Sequence, residues 1–173
     1  MSKPVFYIML GYPGAGKTTV SKIIHDLTGA VHLWADKFRK ERYQNPTYSH
    51  KENLELYAYL NELAAELLAT GQSVTFDTNF NFYKDREHMR EIAKEHNAES
   101  LIIWVTTEKE LAKERATHEK HLSPTRILGN DMPPEKFDRM AKNLQPPRQN
   151  EKYIEIIGEN VTEKIVAKKL GLA

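Results

Sequence analysis

Residues 11–18 read Gly11-Tyr12-Pro13-Gly14-Ala15-Gly16-Lys17-Thr18, a glycine, four residues, then Gly-Lys-Thr. This is the spacing of a phosphate-binding P-loop. Its chemistry needs glycine: successive backbone N–H groups converge on phosphate oxygens only where no Cβ clashes or forbids the dihedrals. Lys17, the one mobile cation of the stretch, would reach the β- and γ-phosphates of a nucleotide, and the Thr18 hydroxyl would hold Mg2+. Gly11 through Thr19 are therefore the expected cofactor-binding residues.

Two aspartates stand where such a site needs carboxylates. Asp36 ends the run Val31-His32-Leu33-Trp34-Ala35-Asp36, and Asp77 ends Gln72-Ser73-Val74-Thr75-Phe76-Asp77, with Asn79 two residues on. Both runs read as strands, and ligands of open parallel sheets bind beyond the C-terminal strand ends. Phosphoryl transfer asks for positioning, charge compensation and one group that takes the proton of an attacking hydroxyl. Asp36 is placed for that last task. A helix starting there would put Arg39 on the same face one turn later, able to grip an anion beside the hydroxyl. Lys37-Phe38-Arg39-Lys40-Glu41-Arg42 carries four cations against one anion, with Lys40 and Arg42 read as solvated.

The elements that would position these groups follow from periodicity. Val5 through Leu10 is a continuous apolar run, the mark of a buried parallel strand. Val20, Ile23, Ile24 and Leu27 then recur at helical spacing up to Gly29, so a helix N-terminus adds its free donors to the P-loop. Ser49 with Glu52 forms a capping box for a long helix. Its apolar stripe is Leu54, Tyr57, Leu60, Leu63, Ala64, Leu67 and Leu68, and Gly71 ends it. A helix from about Tyr83 to His96, with Asn97 as left-handed cap, leads to the strand Leu101–Val105, expected at the sheet centre. Thr107 and Glu110 cap the helix that carries Arg115. Glu119 to Asp131 is polar and aperiodic and reads as a lid. Pro134 opens a helix that Pro146-Pro147 stops, Tyr153–Ile157 is a fifth strand, and Asn160 with Glu163 caps a final helix. Such alternation means an α/β fold of the three-layer P-loop NTPase kind. Its parallel sheet has five strands with helices on both faces. One domain is expected over residues 1–173, with a short lid at about 117–132.

Composition narrows the class. At 173 residues the chain suits one full core. With no cysteine there is neither a disulfide nor a thiolate metal site, which suits a reducing, cytoplasmic setting. No apolar run approaches the roughly 20 residues of a membrane span. Against 24 Asp+Glu stand 25 Lys+Arg, a net charge of +1, unlike the basic excess of a dedicated duplex binder.

The series Asp36-x-x-Arg39, then Asp77-Thr78-Asn79-Phe80-Asn81, then a helix with Arg86, then Arg115, resembles the P-loop kinases related to the 5′-kinase domain of phage polynucleotide kinase. Chloramphenicol phosphotransferase and the zeta toxins are more distant relatives. The likeness spans essentially the whole chain. It implies ATP- and Mg2+-dependent transfer of the γ-phosphate to a hydroxyl acceptor, best matched to a polynucleotide 5′-OH or a nucleoside-like compound. It makes Asp36 the general base and sets Arg39 on an acceptor phosphate. Asp77 goes to the acceptor site or the metal shell, Asn79 and Arg86 to the substrate side, and Arg115 to the donor phosphates. The family commonly repeats an arginine four residues after the first; here that position is Glu119, so Arg126, or else Lys120, would supply the transition-state charge.

Other readings compete. A GTPase-type switch would need a glycine soon after Asp77 and an Asn-Lys-x-Asp guanine reader, and the sequence has neither. The alternatives are a small-molecule kinase of an antibiotic, a sugar or an amino-sugar nucleotide, and a regulatory ATP-binding module. His118 and His121 lack a third ligand nearby and read as solvated. Trp34 and Trp104 read as core, whereas Phe80 and Phe82 are candidates for stacking on an acceptor.

Overall fold

The computed structural model describes residues 2–118, 123–128 and 132–172. Five strands, β1 (Val5–Leu10), β2 (Val31–Trp34), β3 (Val74–Asp77), β4 (Glu99–Thr106) and β5 (Tyr153–Ile157), form one wholly parallel sheet in the order β2-β3-β1-β4-β5. Seven helices join them among the described residues: α1 (Lys17–Thr28), α2 (Ala35–Arg42), α3 (His50–Ala69), α4 (Tyr83–Glu95), α5 (Lys109–His118), α6 (Pro134–Asn143) and α7 (Glu163–Leu170). None of the described helices is long and apolar enough to cross a membrane.

Side chains of β1 alternate between two cores. Phe6, Ile8 and Leu10 face the cluster that takes Leu56, Leu60 and Ala64 of α3 and Met89 and Ile92 of α4. Tyr7 and Met9 face the cluster that takes Val20 and Ile24 of α1 and Val166 of α7. The sheet is thus covered on both sides, which is why its strands are apolar throughout. A third, smaller cluster of Ala112, Phe137 and Ala141 joins α5 to α6, and Tyr12 of the P-loop packs on it.

Several local expectations shift. The centre of the sheet is β1, and β4 lies beside it. Leu54 is 58% exposed and Leu56 is the core residue, because the stripe of α3 runs Leu56-Leu60-Ala64-Leu68 at strict four-residue spacing. The last helix is capped by the Thr162 hydroxyl, with Asn160 in a left-handed turn before it. Asp36 lies in the first turn of α2, since β2 stops at Trp34. Phe80 packs edge-on against Phe76 in the core, while Phe82 is exposed.

The order of the strands fixes where a ligand can sit. The chain leaves β1 toward β2, but leaves β3 toward β4 on the other side. Connections therefore diverge between β1 and β3, and the crevice at such a reversal is the binding edge of open sheets. The P-loop follows β1 and Asp77 ends β3, so both open onto that crevice.

Candidate active site

At Gly11 and Gly14 the loop folds tightly enough that a side chain would not fit. Gly11, Gly14 and Gly16 have φ of 156°, 77° and 105°. A Cβ at Gly14 would come within 2.3 Å of the Ala112 carbonyl oxygen. Support comes from behind as well: the Thr107 hydroxyl donates to the Ala15 carbonyl at 2.7 Å, and a Cβ on Gly158 would stand 2.1 Å from that same oxygen. Thr107 therefore braces the P-loop rather than capping α5.

Lys17 is buried, and its ammonium donates to the carbonyls of Gly11 at 3.0 Å and Tyr12 at 2.8 Å. Burial lowers its pKa to about 8, against an opposing pull from the Asp77 and Asp36 carboxylates. Bound phosphates would favour the charged form and return the pKa toward its usual 10.5. Between pH 8 and 10 the free protein holds Lys17 partly neutral, so nucleotide binding there takes up a proton. The unfolded chain also binds more protons in that window, so the free protein gains stability as pH rises through it. Calorimetry of ADP binding at pH 9 in buffers of different ionisation enthalpy should show uptake approaching one proton, falling away below pH 7 and absent in Lys17→Met. Equal heats in all buffers would show that Lys17 does not meet the phosphates.

Asp36 is exposed on one side and crowded by protein on the others. That desolvation raises its carboxyl above the usual carboxylate range, and Asp77 adds to the shift, while Arg39, Lys17 and Lys136 oppose it. Asp77 is buried and is held by His32, whose Nε2 lies 2.9 Å from Oδ2. His32 had no signal of its own in the sequence; it reaches Asp77 because it shares a sheet face with Trp34, which pairs with Asp77 in register. Its ring stacks on Trp34 at 5.8 Å, so Trp34 belongs to this wall of the site.

The two residues expected to give oxygens to Mg2+, Thr18 at the start of α1 and Asp77 at the end of β3, stand on the two elements that flank the crevice. No group of three potential ligands exists among the described residues. That donor set fits Mg2+, which binds through one or two protein oxygens together with phosphates and water, and not through an all-protein cage.

The loop Thr78–Phe82 is held from several directions. Phe80 N–H reaches the Met9 carbonyl of β1 at 3.3 Å, the Thr78 hydroxyl meets Tyr57 at 2.7 Å, and the Asn81 carbonyl takes Gln145 N–H at 2.8 Å. The side-chain oxygens of Asn79 and Asn81 are buried without a partner among the described residues. Asn79 thus brings an unused acceptor to this edge.

Two arginines assigned to the substrate side have other partners. Arg86 is fully buried: it pairs with Glu151 through Nε at 2.8 Å and through a terminal nitrogen at 3.0 Å, and it donates to the Phe80 carbonyl at 2.9 Å. It cannot reach a substrate, and instead fixes the loop after β3. Arg39 is 2% exposed; it is ion-paired to Glu52 and donates to Asn53 at 2.7 Å. Glu52 also accepts from the Thr47 and Tyr48 N–H groups, and although burial opposes it, these bonds hold its pKa down to about 2. Arg39 therefore already has its anion.

On the donor side, Arg115 of α5 is half-buried, and its guanidinium makes no hydrogen bond or ion pair with the described residues. Arg126 donates to the Arg115 carbonyl at 2.9 Å, so the two lie together. Pro124 of the same segment accepts from Lys22 of α1 at 2.6 Å. Glu119, Lys120, His121 and residues 129–131 of the expected lid lie outside the described residues.

The sequence reading missed Tyr48 and Lys136. Tyr48 has φ 55°, a left-handed conformation that for a bulky residue costs roughly 1–3 kcal/mol. Burial, and next the Asp36 charge, push its phenol up to about 12. Arg39 lies 4.3 Å and Lys136 5.0 Å from its ring centre.

The family model described as an AAA domain matches residues 6–147. The chain belongs to this AAA-domain family. No curated protein sequence matches it. Solved structures share the fold of this AAA-domain chain at low identity. A Mycobacterium tuberculosis APS kinase, in complex with AMPPNP and APS, is 16% identical with a TM-score of 0.68, over 99% of this chain and 98% of that one. A gluconokinase from Sinorhizobium meliloti 1021 is 17% identical with a TM-score of 0.69, over 99% and 92%. A chain of the Pnkp1/Rnl/Hen1 RNA repair complex is 18% identical with a TM-score of 0.70, over 83% of this chain and 45% of that one. The architecture of this AAA-domain protein is that of the P-loop kinases.

Proposed function

We propose that this protein is an ATP- and Mg2+-dependent phosphotransferase that moves the γ-phosphate to an alcohol. One observation carries the reading: Asp36 stands exposed in the first turn of α2, at the same edge of the sheet as the P-loop and within electrostatic reach of its lysine. A nucleotide-binding module without an acceptor has no use for a proton acceptor at that place. In the reaction the acceptor O–H gives its proton to the Asp36 carboxylate and its oxygen forms a bond to the γ-phosphorus. The bond to the β–γ bridging oxygen breaks, and ADP leaves with that electron pair. Lys17 and the P-loop N–H groups hold the phosphates. Arg115 and Arg126 compensate transferring charge from the lid side, and Thr18 and Asp77 would hold Mg2+, which would supply neutralisation of phosphate charge.

For the acceptor, the Asp36-x-x-Arg39 and Asp77-Thr78-Asn79-Phe80-Asn81 pattern supports a nucleotide-like 5′-hydroxyl, alone or at a strand end. A second reading, a small-molecule alcohol such as a sugar, draws on Arg39: Glu52 already neutralises it, so no acceptor phosphate is needed beside it. A strand-end acceptor predicts a shallow salt dependence, about 0.7 ion per phosphate contacted on a single strand, and an uncharged sugar predicts none from this source. A transfer screen with labelled ATP tests the reading, using 5′-hydroxyl oligonucleotides, nucleosides, sugars, sugar acids and aminoglycoside or phenicol antibiotics. Label is expected on an alcohol and lost with Lys17→Ala. Label released only as orthophosphate would overturn the transferase reading.

A further inference from the structure

The loop between α2 and α3 and the first turn of α6 meet beside Asp36. Tyr48 comes from the loop, Lys136 from the helix, and Lys136 stands 5.0 Å from the Tyr48 ring centre. Each keeps a polar group without a hydrogen bond or ion pair among the described residues. Tyr48 is held in a left-handed conformation, uncommon for a tyrosine, with its N–H donating to Glu52 and its carbonyl accepting from Asn53. Such strain clusters at binding sites. Its hydroxyl makes no hydrogen bond with the described residues. Lys136 is half-buried and has no carboxylate partner among them, unlike nearby Lys113, which is paired to Asp138 at 2.8 Å. Its charge reaches Asp36, yet the two form no ion pair. Arg39, which the Asp36-x-x-Arg39 spacing suggested for an acceptor anion, is tied to Glu52 and Asn53.

We propose that Tyr48 and Lys136 form an anion-reading acceptor subsite, and that the acceptor carries a phosphate or carboxylate close to the hydroxyl presented to Asp36. Lys136 meets the anion. The Tyr48 ring keeps the ammonium in place through its π face while the free hydroxyl donates to the same group. Arg39 acts at one remove, as a buried strut beneath the ring whose own charge Glu52 cancels. The acceptor's charge is thus read from the α6 side of the crevice and its hydroxyl from the α2 side. Neutral sugars and phenicols would leave the ammonium unmatched, and acidic sugars, phosphorylated sugars and nucleotides would satisfy it.

This subsite rests on the phosphotransferase reading for its role, but its binding can be measured without any transfer. The full chain loaded with AMPPNP has its donor site filled, so added inorganic phosphate reports on the acceptor side. With ring-labelled tyrosine, and the Tyr48 signal assigned from Tyr48→Phe, phosphate should shift that resonance saturably. Lys136→Met should weaken the binding at least tenfold, and Lys136→Arg should largely restore it, with AMPPNP affinity unchanged in both. In transfer assays the wild type should prefer adenosine 3′-monophosphate over adenosine, or gluconate over glucose, and Lys136→Met should lose the preference. A Tyr48 signal indifferent to phosphate, or Lys136→Met binding phosphate as wild type does, overturns the subsite. Phosphate binding that depends on Lys136, in a protein that labels no alcohol, would keep the subsite and discard the kinase.

Discussion

Asp36→Asn is expected to lower phosphate transfer by roughly 10²–10⁴-fold, the usual scale for loss of a general base. That corresponds to about 3–5 kcal/mol of barrier. The substitution keeps the shape of the side chain and its place in the first turn of α2, but an amide cannot take the proton of the acceptor hydroxyl. Nucleotide binding should hardly change, since the P-loop and Lys17 make those contacts. The pH profile sharpens the test. Asp36 has its pKa raised, chiefly by desolvation, so the acid limb of the wild-type rate should lie above the ordinary Asp value of about 3.9. Below that limb the carboxylate is protonated and the base is lost; in the variant the limb should vanish. Steady-state rates across pH, together with ADP affinities, decide the matter. Affinity falling in step with the rate would make Asp36 a metal ligand.

Glu151→Ala should destabilise the fold by about 3–5 kcal/mol, because it strands the Arg86 guanidinium in a fully buried place. That is a large part of the 5–15 kcal/mol typical of a folded domain. Although burial opposes it, the bonds from Arg86 and from Arg148 N–H hold Glu151 below the usual carboxylate range, so the pair is charged at neutral pH. Denaturant unfolding should show the loss as a lower midpoint with little change in slope. Combining it with Arg86→Met should recover part of the loss, as the uncompensated charge is gone, though the Phe80 carbonyl then lacks its donor. Were Arg86 a substrate residue, Glu151→Ala would instead raise the acceptor KM and leave the midpoint alone.

These two residues also show what the sequence could tell. The strand, loop and helix from Val5 to Thr28 are legible because their code is local: an apolar run, glycines at fixed offsets, then helical periodicity. Arg39 and Arg86 look alike in sequence, as cations near a phosphate site. Their fates depend on Glu52, 13 residues away, and on Glu151, 65 residues away. No short pattern announces a partner that arrives from another helix or from the loop before β5. Glu52 illustrates the same point in reverse. The Ser49 hydroxyl does cap α3 by accepting from Glu52 N–H, but the Glu52 carboxylate turns away to Arg39 and Thr47. Tyr48 was hidden for a different reason: a left-handed tyrosine follows from its surroundings, since no residue preference would predict it.

The brace behind the P-loop makes the phosphate cradle poorly portable. Eight residues carry its pattern, yet its curvature is shared with Val105 of β4 and Thr107 just beyond it, with Ala112 of α5, and with Gly158 after β5. Grafting the eight residues onto another parallel sheet would carry over the glycines without the surfaces that press on them. Gly158 sits far from the motif in sequence and would touch no phosphate, but any larger residue there would push on the Ala15 carbonyl from the rear.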